Sequence, residues 1–288
     1  MAIQLITDST CYIPSTLLEH YQIKVVPLTA NFEDASFLDL PQDYKAFYEK
    51  LKSVDYIPKS SQPTFATMYE AMESSVKNGD AVIGTFLSSK MSGTYGTAAI
   101  IKSQLLEDYP EAQVTIIDSM TNSMQLGLCV LAGAEVLEGG GDYDDVIAAI
   151  KRAIISTKFI FAPATLTYLN RGGRIGNAAA FIGQLLQVKP ILMVVDGMTT
   201  TLDKVRTRKR SIQYLADTFL KDIEAYGLRK VVIHHIEDME EAEKLKNLLF
   251  EGVQLESIEI IDIGPVIGTH VGPGAIGIAY EMEEPLRL

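Results

Sequence analysis

Three apolar runs in this chain each stop abruptly in a knot of hydroxyl and acidic side chains, and that repeated ending constrains the fold more than any other feature. Ile3 to Thr10 closes in Thr7-Asp8-Ser9-Thr10, Ala81 to Ser92 leads into Ser88-Ser89-Lys90-Met91-Ser92-Gly93-Thr94, and Val114 to Ser119 closes in Asp118-Ser119. Short apolar runs bounded by turn signals read as buried strands. Helical spacing follows the second and third of them, over Thr94 to Leu106 and Met124 to Leu137. Strand and helix in alternation give βαβ units around a parallel sheet. Open sheets of that kind bind ligands outside the carboxyl ends of their strands, so these polar endings predict a shared crevice.

The pattern changes near Lys158 to Pro163. A helix over Asp144 to Thr157 precedes the change, after Gly139-Gly140-Gly141. Two helices then lead to strands at Pro190 to Asp196 and Met198 to Val205, whose Asp196-Gly197 link is a hairpin signal. Val231 to His235, Ala242 to Leu249 and Ser257 to Ile263 form one more strand-helix-strand unit, and Ala275 to Tyr280 is a final strand. The expected fold is α/β with two domains. Residues 1–160 carry a doubly wound parallel sheet and residues 161–288 carry a mixed sheet.

Bulk properties narrow the function. With 47% hydrophobic and 22% charged residues the chain is globular, and no apolar run approaches the roughly 18 residues of a membrane span. Its first residues read as a strand and not as a signal peptide, and two cysteines, Cys11 and Cys129, fit a reducing compartment, so the expected location is the cytoplasm. A net charge of −12 argues against a nucleic-acid partner.

Candidate chemistry sits in a few places. Ser92 and Gly93 lie where a strand hands over to a helix, a position whose backbone N–H groups favour a carboxylate or phosphate, although Ser92 or Thr94 capping the helix accounts for the same residues. Ser60 and Ser61 stand in a loop, Lys59 to Thr64, before a helix over Phe65 to Val76 with Thr64 as its cap. His270 lies in the glycine-rich loop Gly264 to Gly274, where backbone can approach a ligand closely. His234 and His235 are neighbours in a strand and face opposite sides, so no metal site is expected. Cys11 reads as a packed thiol, and no phosphate-binding or dinucleotide-binding glycine motif is present. Arg171 and Arg174 flank a turn between helices, and Arg206 belongs to the basic run Lys204 to Arg210. In so acidic a chain these clusters suggest a docking face for a phosphate or an acidic surface, or else solvated side chains paired locally.

Taken in order, Thr7-Asp8-Ser9-Thr10, Ser60-Ser61-Gln62-Pro63-Thr64, Leu87 to Tyr95, Leu169 to Gly176 and Gly268 to Gly274 resemble the DegV family over essentially the whole chain. The resemblance implies a bacterial fatty-acid-binding protein that holds its ligand in a tunnel between two α/β domains, is not itself an enzyme, needs no cofactor, and presents its ligand to a separate ATP-dependent fatty acid kinase. The acyl phosphate made there feeds phospholipid synthesis, with transient membrane contact as a further expectation. It also implies that Ser92, Gly93, His270 and a hydroxyl of the Ser-Gln-Pro loop, Ser60 or Ser61, hold the carboxylate. Arg171, Arg174 and Arg206 are then the place for kinase docking. Affinity would come from the tail, since about 14 methylenes at about 0.8 kcal/mol each give on the order of 11 kcal/mol before ordering costs. Two other classes fit the same residues. One is a small-molecule hydrolase or transferase using Asp8, Ser92 and His270 as acid, nucleophile and base; the other is a docking domain that binds a phosphorylated ligand through Ser92 and the arginines.

Overall fold

The computed structural model describes residues 2–182 and 188–285. Along the chain run β1 (Ile3–Asp8), α1 (Ser15–His20), β2 (Lys24–Val26), β3 (Thr29–Asn31), β4 (Ser36–Leu38), α2 (Pro41–Lys52), β5 (Lys59–Ser61), α3 (Phe65–Lys77), β6 (Ala81–Phe86), α4 (Thr94–Asp108), β7 (Val114–Asp118), α5 (Ser123–Glu138) and α6 (Tyr143–Ser156). There follow β8 (Thr157–Ala162), α7 (Thr167–Arg171), β9 (Lys189–Val195), β10 (Met198–Val205), α8 (Arg208–Tyr226), β11 (Lys230–His235), α9 (Met239–Gly252), β12 (Glu259–Asp262), α10 (Pro265–Val271) and β13 (Ile276–Glu281).

The three abrupt runs are β1, β6 and β7, and with β2 they form an all-parallel sheet in the order β2-β1-β6-β7. Every residue of β6 is buried, as expected of an inner strand covered on both faces. The second sheet, β10-β9-β8-β13-β11-β12, is mixed: its pairs are antiparallel except β11 with β12. Asp196 and Gly197 both take positive φ, 48° and 77°, which is the turn geometry a two-residue hairpin between β9 and β10 requires. Side chains of Thr64, Thr207 and Asp238 cap α3, α8 and α9, and Asp142 with Asp145 closes a capping box on α6.

Helix α5 joins the two sheets. It is apolar on all sides, every residue from Ser123 to Ala134 is buried, and it packs against β1 and β6 on one side and β8 and β13 on the other. A helix without a polar face belongs inside. One continuous core accordingly runs from Leu5 and Ile83 of the parallel sheet to Phe159 and Phe161 of the mixed one. The outer face of the parallel sheet is covered by α3 and α4, and that of the mixed sheet by α8 and α9.

The structure corrects four local expectations. The stretch beyond Lys158 opens not on a helix but on β8, which follows Ser156 of α6 with no glycine or proline to mark the switch; the 160/161 division falls inside this strand. Of the two helices expected next, one is the short α7 and the other is a 3-10 turn over Gly176–Phe181. The loop carrying Ser60 and Ser61 is β5, an edge of a small antiparallel sheet β4-β3-β5 whose strands are too short to show periodicity. His270 stands not in a loop but in the last turn of α10, which starts at Pro265, where the ring's fixed φ suits a first helical turn. Among the described residues no helix is long and apolar enough to cross a membrane.

Candidate functional site

Outside the carboxyl ends of β6 and β7 lies a cavity of about 350 Å³, within the roughly 300–1,000 Å³ typical of small-molecule sites. Leu28, Leu87, Phe159, Phe161, Ile263 and Val266 make its walls apolar. Much of the polar lining comes from three places: Ser60, Ser61 and Gln62 of β5 and the residue after it, Ser92 and Gly93 before α4, and Arg174 with His270 from the second half of the chain. All five expected ligand-binding residues therefore border one space.

Ser60 Oγ and His270 Nε2 are 2.8 Å apart, a hydrogen bond between residues 210 positions distant in sequence. His270 Nδ1 is buried without a partner, pressed against Gly172, where a Cβ would overlap it. Burial, with Arg174 adding to it, pushes the His270 imidazole down to about 4, so the ring is neutral at physiological pH. Ser61 Oγ accepts from Asn31 Nδ2 at 3.0 Å. Ser92 Oγ accepts from Thr94 N at 3.3 Å and lies 2.9 Å from Thr94 Oγ1, while Gly93 itself is the N-cap of α4. The Gln62 side chain crosses over Gly93 and donates to Thr97 Oγ1 at 2.8 Å.

Arg174, expected on a docking face, lines the cavity, with Nε donating to Met91 O at 3.0 Å and Nη1 to Gly172 O at 2.7 Å. Arg171 is exposed beside a separate small cleft with Phe181 and Ile182, and Arg206 is exposed in a third cleft with Arg210, Tyr214 and Asp217. The arginines are thus not one contiguous patch around the cavity mouth.

Asp8 does not border the cavity. Its Oδ1 accepts from Thr10 N and Thr10 Oγ1, and its Oδ2 accepts from Leu87 N at 2.8 Å, so it ties the end of β1 to the end of β6. Asp118 likewise accepts from Ser89 N and Met120 N. These acids close loops. An Asp8, Ser92 and His270 triad is not assembled, because Ser92 pairs with Thr94, His270 with Ser60, and His270 Nδ1 meets no carboxylate. Cys11 is buried and its thiol is pushed upward by burial, as expected of a packed thiol and not of a nucleophile. Among the described residues no cluster of metal-ligating side chains occurs.

Sequence reasoning passed over four polar lining residues. His234 is a wall of the cavity; its Nε2 accepts from Met124 N at 3.1 Å, so Nδ1 carries the proton and donates to Ile261 O at 3.1 Å. Burial pushes this imidazole to about 4 as well. Asn122 and Thr199 also line the space, and no motif marks them. Gln62 had a signal, since it follows Ser61 directly in the motif.

Fold and site together define an α/β protein with two large sheets, a small third one, and a cavity of largely apolar walls bordered by hydroxyls, an arginine and neutral imidazoles. A family profile described as "Uncharacterised protein, DegV family" matches residues 2–283. The chain belongs to the DegV family. It is 40% identical over 287 residues to a DegV domain-containing protein of Clostridium acetobutylicum, with all of both chains covered. Among solved structures it is similar to a fatty-acid-binding DegV family protein of Thermus thermophilus, at 29% identity over 98% of this chain and 100% of that one, TM-score 0.87. It is also similar to DegV of Bacillus subtilis, a fatty acid binding protein, at 32% identity over 98% of this chain and 99% of that one, TM-score 0.83.

Proposed function

We propose that this chain binds a long-chain fatty acid, with the tail in the apolar cavity and the carboxylate at Ser60 or Ser61, Ser92, Gly93 and His270, and presents it to a separate ATP-dependent kinase. The observation that carries the reading is the composition of the cavity lining: hydrocarbon side chains such as Leu28, Phe159, Phe161, Ile263 and Val266, together with the hydroxyls of Ser60, Ser61 and Ser92 and the neutral imidazole of His270. The fatty acid binding of the Thermus thermophilus and Bacillus subtilis proteins supports it. Hydroxyl, amide and imidazole donors steady a carboxylate while leaving lone pairs for an incoming phosphoryl group. Arg174 beside His270 supplies positive charge for the carboxylate or for the transferring phosphate, and exposed Arg171 and Arg206 suit an acidic partner surface. The protein would act in the bacterial cytoplasm, upstream of phospholipid synthesis, with brief membrane contact for loading. Residues 1–160 and 161–288 would each supply one side of the ligand space.

Denaturing mass spectrometry of the purified protein should release a long-chain acid near one equivalent. A protein that carries none and fails to take up oleic or palmitic acid in titration refutes the assignment. For the kinase step, Arg206→Glu should leave lipid binding intact and depress acyl-phosphate formation with the cognate kinase. Unchanged turnover would remove Arg206 from the docking face.

A further inference from the structure

We propose that this protein binds a zwitterionic α-amino acid with a small apolar side chain in a separate cavity, at the far end of β13 from the acyl site. That cavity, about 370 Å³, lies between α5, α6 and the mixed sheet. Its charged lining is Glu135 of α5, Arg152 of α6, Arg229 just before β11 and Glu281 at the end of β13, and four alanines with Val136 complete the walls. The acyl cavity meets β13 at Ile276 and Gly277 and shares none of these residues, so the inference stands apart from the fatty-acid reading.

Glu281 carries the argument. It is only 2% exposed, it sits on an inner strand opposite Lys230 and Thr157, and among the described residues its Oε2 has no hydrogen-bond partner. A buried carboxylate oxygen without a donor is uncommon and costly, and a bound donor relieves it. The guanidinium beside it does not serve, since Arg229 Nε stands 3.6 Å from Glu281 Oε1, beyond hydrogen-bond reach. Burial pushes the Glu281 carboxyl upward, and Arg229 and Lys230 only partly hold it down. The guanidinium groups have the opposite surplus. Arg229 Nη2 lies 3.8 Å from Glu135 Oε2, so this side chain is near two carboxylates and bonded to neither, while Glu135 Oε1 takes Lys230 Nζ. Arg152 is anchored through Nη2 on a backbone carbonyl, Glu283 O at 2.8 Å, which leaves it further N–H groups to donate. A molecule with an ammonium and a carboxylate on one carbon meets both needs: the ammonium donates to Glu281 Oε2, and the carboxylate accepts from Arg229 and Arg152. An amine alone faces two guanidinium groups, and a carboxylate alone faces Glu281. The alanines and Val136 suit a short hydrocarbon side chain and disfavour a further charge.

The test is isothermal titration calorimetry of the full-length protein with L-alanine, L-valine, L-leucine, isobutylamine and isovalerate at millimolar concentrations, repeated on Glu281→Gln and Arg229→Gln. Wild type should bind at least one of the amino acids at a single site, and should bind the amine and the acid about tenfold more weakly or worse, the loss of one charge-assisted contact. Each variant should bind that amino acid about tenfold more weakly while retaining fatty acids as wild type does. Arg229 is half exposed, so its variant keeps the native circular dichroism even where Glu281→Gln does not. Four results overturn the site: no binding of any of the three amino acids to wild type, equal affinity for the amino acid and for either half of it, unchanged binding in folded Arg229→Gln, or an equal loss of amino acid and fatty acid. None of the first three bears on the fatty-acid reading.

Discussion

At the scale of single residues, the mouth of the cavity depends on where side chains are missing as much as on where they are present. Gly172 sits at φ −75°, so alanine suits its backbone, yet a methyl there would overlap His270 Nδ1 and crowd Tyr168 O at 3.0 Å. Gly172→Ala should therefore displace the imidazole and weaken fatty-acid binding by about 1–3 kcal/mol, the range for leaving a buried polar partner unsatisfied, as His270→Ala should. Gly93→Ala meets only the far end of the Gln62 side chain, which can swing away, so its effect should be smaller. Titration with a fluorescent fatty acid orders the three variants, and an equal loss at Gly93 and Gly172 would contradict this account. The hydroxyls and His270 were legible in the sequence because polar residues at strand ends and among glycines are conspicuous. Arg174 was read as a docking residue because its charge is visible in sequence while its direction is not. His234 was overlooked because a histidine in a strand reads as one more alternating position, and only the fold shows which face meets the cavity.

At the scale of elements, α10 decides where His270 stands, and its start is anchored from far away. Asp39, just after β4, accepts at Oδ1 from Val266 N at 3.0 Å and at Oδ2 from Ser9 Oγ at 3.0 Å, so a residue beside the small sheet caps a helix 227 positions later. Burial pushes the Asp39 carboxyl up to about 7 despite these donors, and the neighbouring Asp8 adds to the rise. The fold thus favours protonated Asp39. That contribution is fully present below the unfolded value near 3.8 and is lost as pH rises through about 7. Asp39→Asn cannot ionise, so its stability relative to wild type should improve steadily between about pH 4 and pH 7. Urea denaturation of delipidated protein across that range measures the difference, and a slope of the opposite sign would show that the charged form is the one the fold holds. Most elements could be read from periodicity and punctuation, including the Asp196-Gly197 hairpin and the Thr64 cap. The strands β2, β3, β4 and β5 could not, since three residues carry no period and their pairing is decided by partners elsewhere. Helix α10 was hidden because its glycines argue for a loop, while a remote carboxylate supplies the cap that its own sequence lacks.

At the scale of the molecule, α5 is a layer common to both sheets, so the inner face of each sheet is covered by a helix that the other sheet also packs against. Calorimetry should show one unfolding transition, and two resolved transitions would contradict a shared core. Removing a bound acid should lower that single transition temperature, since ligand at about 100 times its Kd stabilises the native state by about 2.7 kcal/mol. The α/β class, the parallel first sheet and the mixed second one were legible because most of their strands are apolar runs bounded by turn signals. The way the sheets share α5 was not, because a uniformly apolar helix looks the same in sequence whichever layers enclose it. The bond between Ser60 and His270 also has a bearing on synthesis, since the two residues lie 210 positions apart. A nascent polypeptide still attached to the ribosome holds the serine long before the imidazole exists. On the fatty-acid reading, any capture that depends on this pair has to await near-complete translation, and an interrupted product cannot sequester acyl chains by this grip.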